Sequence, residues 1–185
     1  AHLGSLPHSV PRAIAEYGIE NLGPGDALLL NDPHRGATHL NDVALISVIH
    51  DDDGRLIGVA ANIAHHVDVG GGTPGGMGMS SEVFQEGLII PPVKFVEGGK
   101  INADLLRFIS TNVRLPEASA GDFRAQLAAN TLVTTRIREL AQRLGLESFR
   151  TYCDALNEYS ERRMRAALTH LPLGTYLAED FIDSD

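Results

Sequence analysis

The run Asp42-Val43-Ala44-Leu45-Ile46-Ser47-Val48-Ile49-His50 leads through Asp51-Asp52-Asp53-Gly54 into Arg55-Leu56-Ile57-Gly58-Val59-Ala60-Ala61-Asn62-Ile63-Ala64-His65. Val43 to His50 is apolar and rich in β-branched residues, which suits a strand. Asp51-Asp52-Asp53-Gly54 is a turn signal, and Arg55 to Ala64 is a second apolar run. The two runs are of similar length, so together they predict an antiparallel hairpin. Residues that face each other across such a pair lie about 5 Å apart. The open end therefore brings His39-Leu40-Asn41-Asp42 against His65-His66-Val67-Asp68. Residues 31–42 and 62–72 together hold four of the eight histidines, three aspartates and the triplet Gly70-Gly71-Gly72. Imidazole and carboxylate together suit Zn, Mn, Fe or Ni. The same side chains would equally serve as a hydrogen-bonded network that orders loops without metal, and the residues alone leave both readings open.

Upstream, Ser9 to Gly18 reads as a short helix capped by Ser9 and ended by Gly18. Gly23-Pro24-Gly25-Asp26 is a turn, and Ala27-Leu28-Leu29-Leu30 is a short strand buried on both faces. That strand delivers Asn31-Asp32-Pro33-His34-Arg35-Gly36 to its exit, where loops often carry chemistry. Asn31, Asp32 and Arg35 fit a capped loop or a substrate contact equally well. Downstream, the glycine-rich segment from Gly70 to Ser81 suits close ligand approach or a mobile cover. It lacks the lysine and hydroxyl of a nucleotide P-loop, which argues against nucleotide binding by this chain. Glu86 is a candidate general base in an apolar segment, or a surface turn carboxylate.

The second half changes character. Asn102 caps a helix to Thr111. A long helix runs from Glu117 to Leu144, with Ala125, Ala128, Leu132, Ile137 and Leu140 at helical spacing, and Gly145 ends it. A third, Ser148 to Leu168, turns Tyr152, Cys153, Leu156, Tyr159 and Met164 inward, with Cys153 an inert core residue. The last two are expected to form an antiparallel helical hairpin. The fold class is thus α+β: a small β unit with the candidate metal site over 1–100, a helical part over 101–170, and the start of a further element, seen in Gly174-Thr175-Tyr176-Leu177, over 171–185.

The chain has 185 residues, 43% of them hydrophobic and 21% charged, so a packed core is expected and wholesale disorder is not. A net charge of −9 disfavours nucleic acid and anionic membrane surfaces as partners. No apolar run approaches the roughly 20 residues that span a bilayer. A single cysteine rules out a disulfide framework within the chain and fits a reducing, cytoplasmic setting. A serine-hydrolase elbow, GxSxG, is absent.

Several motifs carry a family resemblance. They are Gly25-Asp26 to Asn31-Asp32-Pro33, Gly36-x-Thr38-His39-Leu40-x-Asp42, and Ala64-His65-His66-x-Asp68-x-Gly70-Gly71. To these add Phe84-Gln85-Glu86-Gly87 to Lys94, Gly121-Asp122-x-Arg124-Ala125-Gln126 to Asn130, and the opening His2-Leu3-Gly4-Ser5. In them the chain resembles the hydantoinase B family, which takes in N-methylhydantoinase B subunits, the C-terminal half of ATP-dependent 5-oxoprolinase and α subunits of ketone carboxylases. The resemblance implies an ATP-coupled hydrolase acting on cyclic amides within a hetero-oligomer. A hydantoinase A-type partner binds ATP and activates the substrate, and the B part uses a divalent metal (Mn, Zn or Fe) for ring opening. It implies His39, Asp42 and His65 as ligands, with His66 as the alternative, and Asp68 or Glu86 as proton-handling or ligand-orienting groups. Asn31, Asp32, Arg35, Gly70 and Gly71 become candidates for substrate contact. It also implies an acidic ligand well upstream of His39. The chain starts too late to contain it, so an internal fragment with an incomplete metal shell and no catalysis of its own is expected. The resemblance leaves a ketone carboxylase, or a non-catalytic interaction module, as alternatives.

Overall fold

The computed structural model describes residues 3–76 and 78–180. His2 of the opening motif and the last five residues lie outside the described residues. Two compact units divide the chain, residues 1–140 and 141–185.

In the first unit, helix α1 (Leu6–Tyr17) precedes strand β1 (Ala27–Leu30), and β2 (Asp42–His50) and β3 (Leu56–His65) follow. Then come β4 (Val93–Glu97), β5 (Lys100–Ile101), α2 (Ala103–Thr111) and the start of α3 (Pro116–Leu144). The strands form one antiparallel sheet in the order β3-β2-β1-β4-β5. This is the expected α+β architecture. The hairpin forms as its sequence predicts. Its turn is closed by Asp51, whose Oδ1 accepts from the backbone N–H of Asp53 (3.0 Å) and of Arg55 (2.8 Å). Gly54 supplies the positive φ of 77° that a short hairpin loop needs.

Strand alternation sorts the apolar residues into two layers. Leu28, Leu30, Ala44, Ile46 and Val48 face α1, where they pack with Ala13. Leu29, Val43, Leu45 and Phe95 face α2 and α3, where they meet Ile109 and Phe123. Because β1 is covered on both faces, all four of its residues are buried. At its start, buried Asp26 pairs with Lys94 (2.8 Å) and accepts from Gly98 N–H (2.9 Å), tying β1 to the β4–β5 turn.

Several local expectations change. First, α1 begins at Leu6, so Ser9 lies inside the helix rather than capping it. Its buried hydroxyl donates to the carbonyls of Ser5 and Gly36 instead. Second, the buried residues of α3 up to residue 140 are Ser119, Phe123, Gln126 and Asn130, whereas Ala125, Ala128 and Leu132 are exposed; Ala141, further along, is buried. The buried amides have backbone partners. Asn130 Nδ2 donates to Leu45 O (3.0 Å) and Ala60 O (3.1 Å), and Gln126 Nε2 donates to Val43 O (2.9 Å). A count of apolar residues cannot find a helix face that is selected for its hydrogen bonds. Third, residues 171–180 form neither helix nor strand, so the expected strand start at Gly174 is not formed.

The second unit holds the end of α3 and helix α4 (Leu146–Leu168). In α4 only Phe149 is buried; Tyr152, Leu156, Tyr159 and Met164 are exposed, and so is Cys153. The spacing marks a face that favours cover, but spacing does not say what provides it. Cys153 is therefore not a core residue here.

Asn130→Ala should lower stability in urea unfolding by about 1–3 kcal/mol, the usual cost of leaving buried partners unsatisfied. An unchanged midpoint would show that the α3 amide contacts contribute nothing.

Candidate metal centre

The open end of the hairpin is the centre of the site. Asp42 and His65 are direct partners in the β2–β3 register. The loop before β2 closes with Asp42 N–H donating to His39 O (3.0 Å), a turn that brings His39 back over Asp42. The carboxylate of Asp42 then sits between two imidazoles. Its Oδ1 lies 3.0 Å from His65 Nδ1, and its Oδ2 lies 3.1 Å from His39 Nδ1. Thr38 Oγ also donates to Oδ2 (2.9 Å). The two rings stand 5.1 Å apart.

Among the described residues, His39, Asp42 and His65 form the one group of three such side chains whose possible ligand atoms all lie within 4.8 Å of each other. Asp42 is 4% exposed, while the imidazoles of His39 and His65 are 46% and 59% exposed. Two imidazoles and one carboxylate fit a divalent first-row cation, and both rings are open to solvent.

His66 takes the opposite face. Strand alternation puts His65 on the α1 side and His66 on the α3 side, where its ring is 1% exposed. The ring packs on Phe123 at 4.6 Å, beside a cavity of only about 10 Å³. Its Nε2 donates to Gln126 Oε1 (3.0 Å). Burial lowers its pKa, only partly offset by that hydrogen bond, so the neutral imidazole is favoured.

Most of the other sequence candidates are occupied in holding the frame. Asn31 is 0% exposed. Its Nδ2 donates to Leu40 O (2.8 Å) and Leu88 O (2.9 Å), and its Oδ1 accepts from Ile90 N–H (2.6 Å). It staples the metal-side loop to residues 88–90 and has no surface to offer a substrate. Asp32 accepts from His34 N–H and from Arg35 Nε (3.0 Å). Arg35 also pairs with Glu16 of α1, and Arg12 donates to His34 O (2.8 Å). Helix α1 thus clamps the loop that leads to His39.

Asp68 does not reach either histidine of the cluster. It is 4% exposed and accepts from Gly70 N–H (3.2 Å), from Arg114 N–H and from Arg114 Nη1 (2.9 Å). Arg114 donates in turn to Gly71 O (2.8 Å). Burial pushes the Asp68 carboxyl up, but these hydrogen bonds and the guanidinium outweigh it and hold the pKa below the ordinary value. Gly70 and Gly71 sit at φ of 87° and 82°, and a Cβ on Gly71 would meet Gln85 O at 2.5 Å. Both positions are therefore backbone requirements. Glu86 is half-buried just after a short helical turn, Val83–Gln85. The residues that sequence reasoning missed are Asn41, Asn62 and the inward amides of α3. Asn41 Nδ2 donates to His66 O (2.9 Å), and Asn62 Nδ2 donates to Asn130 Oδ1 (2.8 Å).

The family profile described as Hydantoinase B/oxoprolinase matches residues 1–185. The chain belongs to the hydantoinase B/oxoprolinase family. It is 39% identical over 171 residues to an uncharacterised protein of Methanocaldococcus jannaschii, covering 89% of this chain and 30% of that protein. It is 33% identical to 5-oxoprolinase 1 of Arabidopsis thaliana, covering 90% of this chain and 14% of the relative. Among solved structures, the ATP-dependent caprolactamase of Pseudomonas jessenii superposes with a TM-score of 0.87 at 30% identity, over 97% of this chain and 31% of that one. The chain thus spans less than a third of the length of these relatives. No described helix is long and apolar enough to cross a membrane.

The lowered pKa of Asp68 sets a direction in acid. Its contribution to stability is present above the ordinary carboxylate value of 3.8 and is lost as pH falls through the folded value. Asp68→Asn should be less stable than wild type at neutral pH, and the gap should narrow in acid. A gap independent of pH in urea unfolding would overturn this.

Proposed function

We propose that this chain is the metal-bearing segment of a hydantoinase B-type subunit in a cytoplasmic, ATP-coupled cyclic amidohydrolase of the hydantoin or 5-oxoproline type. A hydantoinase A-type partner binds ATP and activates the substrate, and the B subunit opens its ring. The observation that supports this reading is the convergence of His39, Asp42 and His65 at the hairpin's open end, in a family whose members include 5-oxoprolinase and caprolactamase.

In this reading His39, Asp42 and His65 hold a divalent cation. When bound, the cation supplies Lewis-acid polarisation of the amide carbonyl. Asp42, the buried member, would offset the cation's charge, and its two oxygens lie 3.0 and 3.1 Å from the His65 and His39 Nδ1 atoms. The exposed side of the histidine pair is where the substrate approaches. Glu86 is the candidate for proton transfer. Asp68 and Arg114 hold the Gly70–Gly71 backbone in place, and Arg35 keeps the entering loop against α1.

His39→Ala and Asp42→Ala in the full-length protein with its partner should each abolish stoichiometric metal, read by elemental analysis, and ring opening, read by product formation. Full activity in either variant ends the assignment. ATP turnover that is unchanged in both would indicate a non-catalytic module. Incorporation of labelled bicarbonate would move the protein to the ketone carboxylases.

A further inference from the structure

We propose that Gln126 and Asn41 are positioning residues for the His39–Asp42–His65 cluster, acting through His66. The inference rests on the metal reading and deepens it. Asp42 and His65 each have a neighbour just past the end of the ladder. Beside Asp42 stands Asn41, and beside His65 stands His66. These neighbours bond each other reciprocally: His66 N–H donates to Asn41 O (2.8 Å), and Asn41 Nδ2 donates to His66 O (2.9 Å). The pair adds one rung to the ladder just past Asp42 and His65, and so closes the end that would otherwise fray.

That rung is anchored to α3. The His66 ring is clamped between Phe123 (4.6 Å) and Gln126 Oε1 (3.0 Å). Gln126 is itself held, because its Nε2 donates to Val43 O (2.9 Å) and to Asn62 Oδ1 (2.8 Å). One amide side chain therefore grips the residue next to Asp42 on β2 and the residue next to His65. Both partners of Nε2 are acceptors, which orients the amide and makes Oε1 the group that faces His66. With both strand ends held, the ligand atoms keep their spacing without help from a cation. Affinity for a cation depends on this kind of support around the ligands.

A merely stabilising role is separable from positioning because α3 contains an internal control. Asn130, one turn further along, makes comparable bonds to Leu45 O (3.0 Å), Ser47 Oγ (3.1 Å) and Ala60 O (3.1 Å). Its Oδ1 also accepts from Asn62 Nδ2 (2.8 Å), so it shares Asn62 with Gln126, but none of its bonds reaches His66, Asn41 or Val43, and its removal leaves both acceptors of Gln126 Nε2 in place.

The test uses the full-length protein, with Mn²⁺ titrated calorimetrically and Co²⁺ followed by its visible absorption. Gln126→Ala should weaken Mn²⁺ binding by roughly tenfold or more, the usual range for outer-shell partners, and shift the Co²⁺ bands. Asn130→Ala should lower the melting temperature but leave affinity and spectrum unchanged. Asn41→Ala, which deletes one bond of the rung and keeps the backbone bond, should weaken Mn²⁺ binding in the same direction. It serves as the deciding variant if Gln126→Ala does not fold. Wild-type affinity in the deciding variant, or an equal loss in Asn130→Ala, overturns the positioning role while leaving the metal reading intact. A wild-type protein that takes up neither ion overturns both.

Discussion

The pairing of Asp42 with His65 brings the two strands' contributions to the candidate centre together, and the turn before β2 adds His39. That pairing is the outermost of an antiparallel ladder that is aligned from its closed end, where Asp51 and Gly54 shape the turn. Because side chains alternate along a strand, a slip of one residue would exchange the faces of an entire strand. His66 would then stand opposite Asp42, and His65 would be driven under α3. The register is protected against this by burial, since the two faces of β2 pack into different apolar clusters.

Around that pair the structure places polar contacts where a small protein usually places apolar ones. The inner stripe of α3 carries Ser119, Gln126 and Asn130 as buried polar residues, and the two amides donate to sheet carbonyls. A buried amide is costly when unpaired and strongly specifying when every group is matched. Asn31 does the same on the loop side, bonding Leu40, Leu88 and Ile90 at once. The outcome is a cluster whose buried carboxylate is fixed from several directions, while its two imidazoles stay open to solvent. Rigid support beneath and access above are what a cation with a substrate-facing side requires.

The acidic and glycine residues that follow β3 are likewise committed to the frame. Asp68 organises the Gly70–Gly71 backbone through Arg114, 46 residues away in sequence. Its lowered pKa follows from being used as an acceptor, so a perturbed carboxylate near the histidines is not by itself a sign of proton transfer. Polar residues next to the candidate ligands also take part in the frame. Asn41 and His66 sit beside Asp42 and His65; the His66 ring reaches α3 through Gln126, and the Asn41 amide closes onto the His66 carbonyl.

By itself, the sequence determined the hairpin, its turn, the meeting of His39 and Asp42 with His65, and the α+β class. These depend on local patterns: β-branched runs, an Asp-Gly turn and helical spacing, all acting over short separations. Strand alternation also makes His65 and His66 point oppositely, but which of them lies on the exposed side depends on which layers cover the sheet. Only the tertiary structure decided that, together with the polar inner face of α3, the exposure of α4, and the structural occupation of Asn31 and Asp68. Each of these depends on partners dozens of residues away, such as Val43 for Gln126 and Arg114 for Asp68. A periodic pattern shows which residues share a face. Whether that face meets carbonyls, a guanidinium or water is set by the packing of the chain.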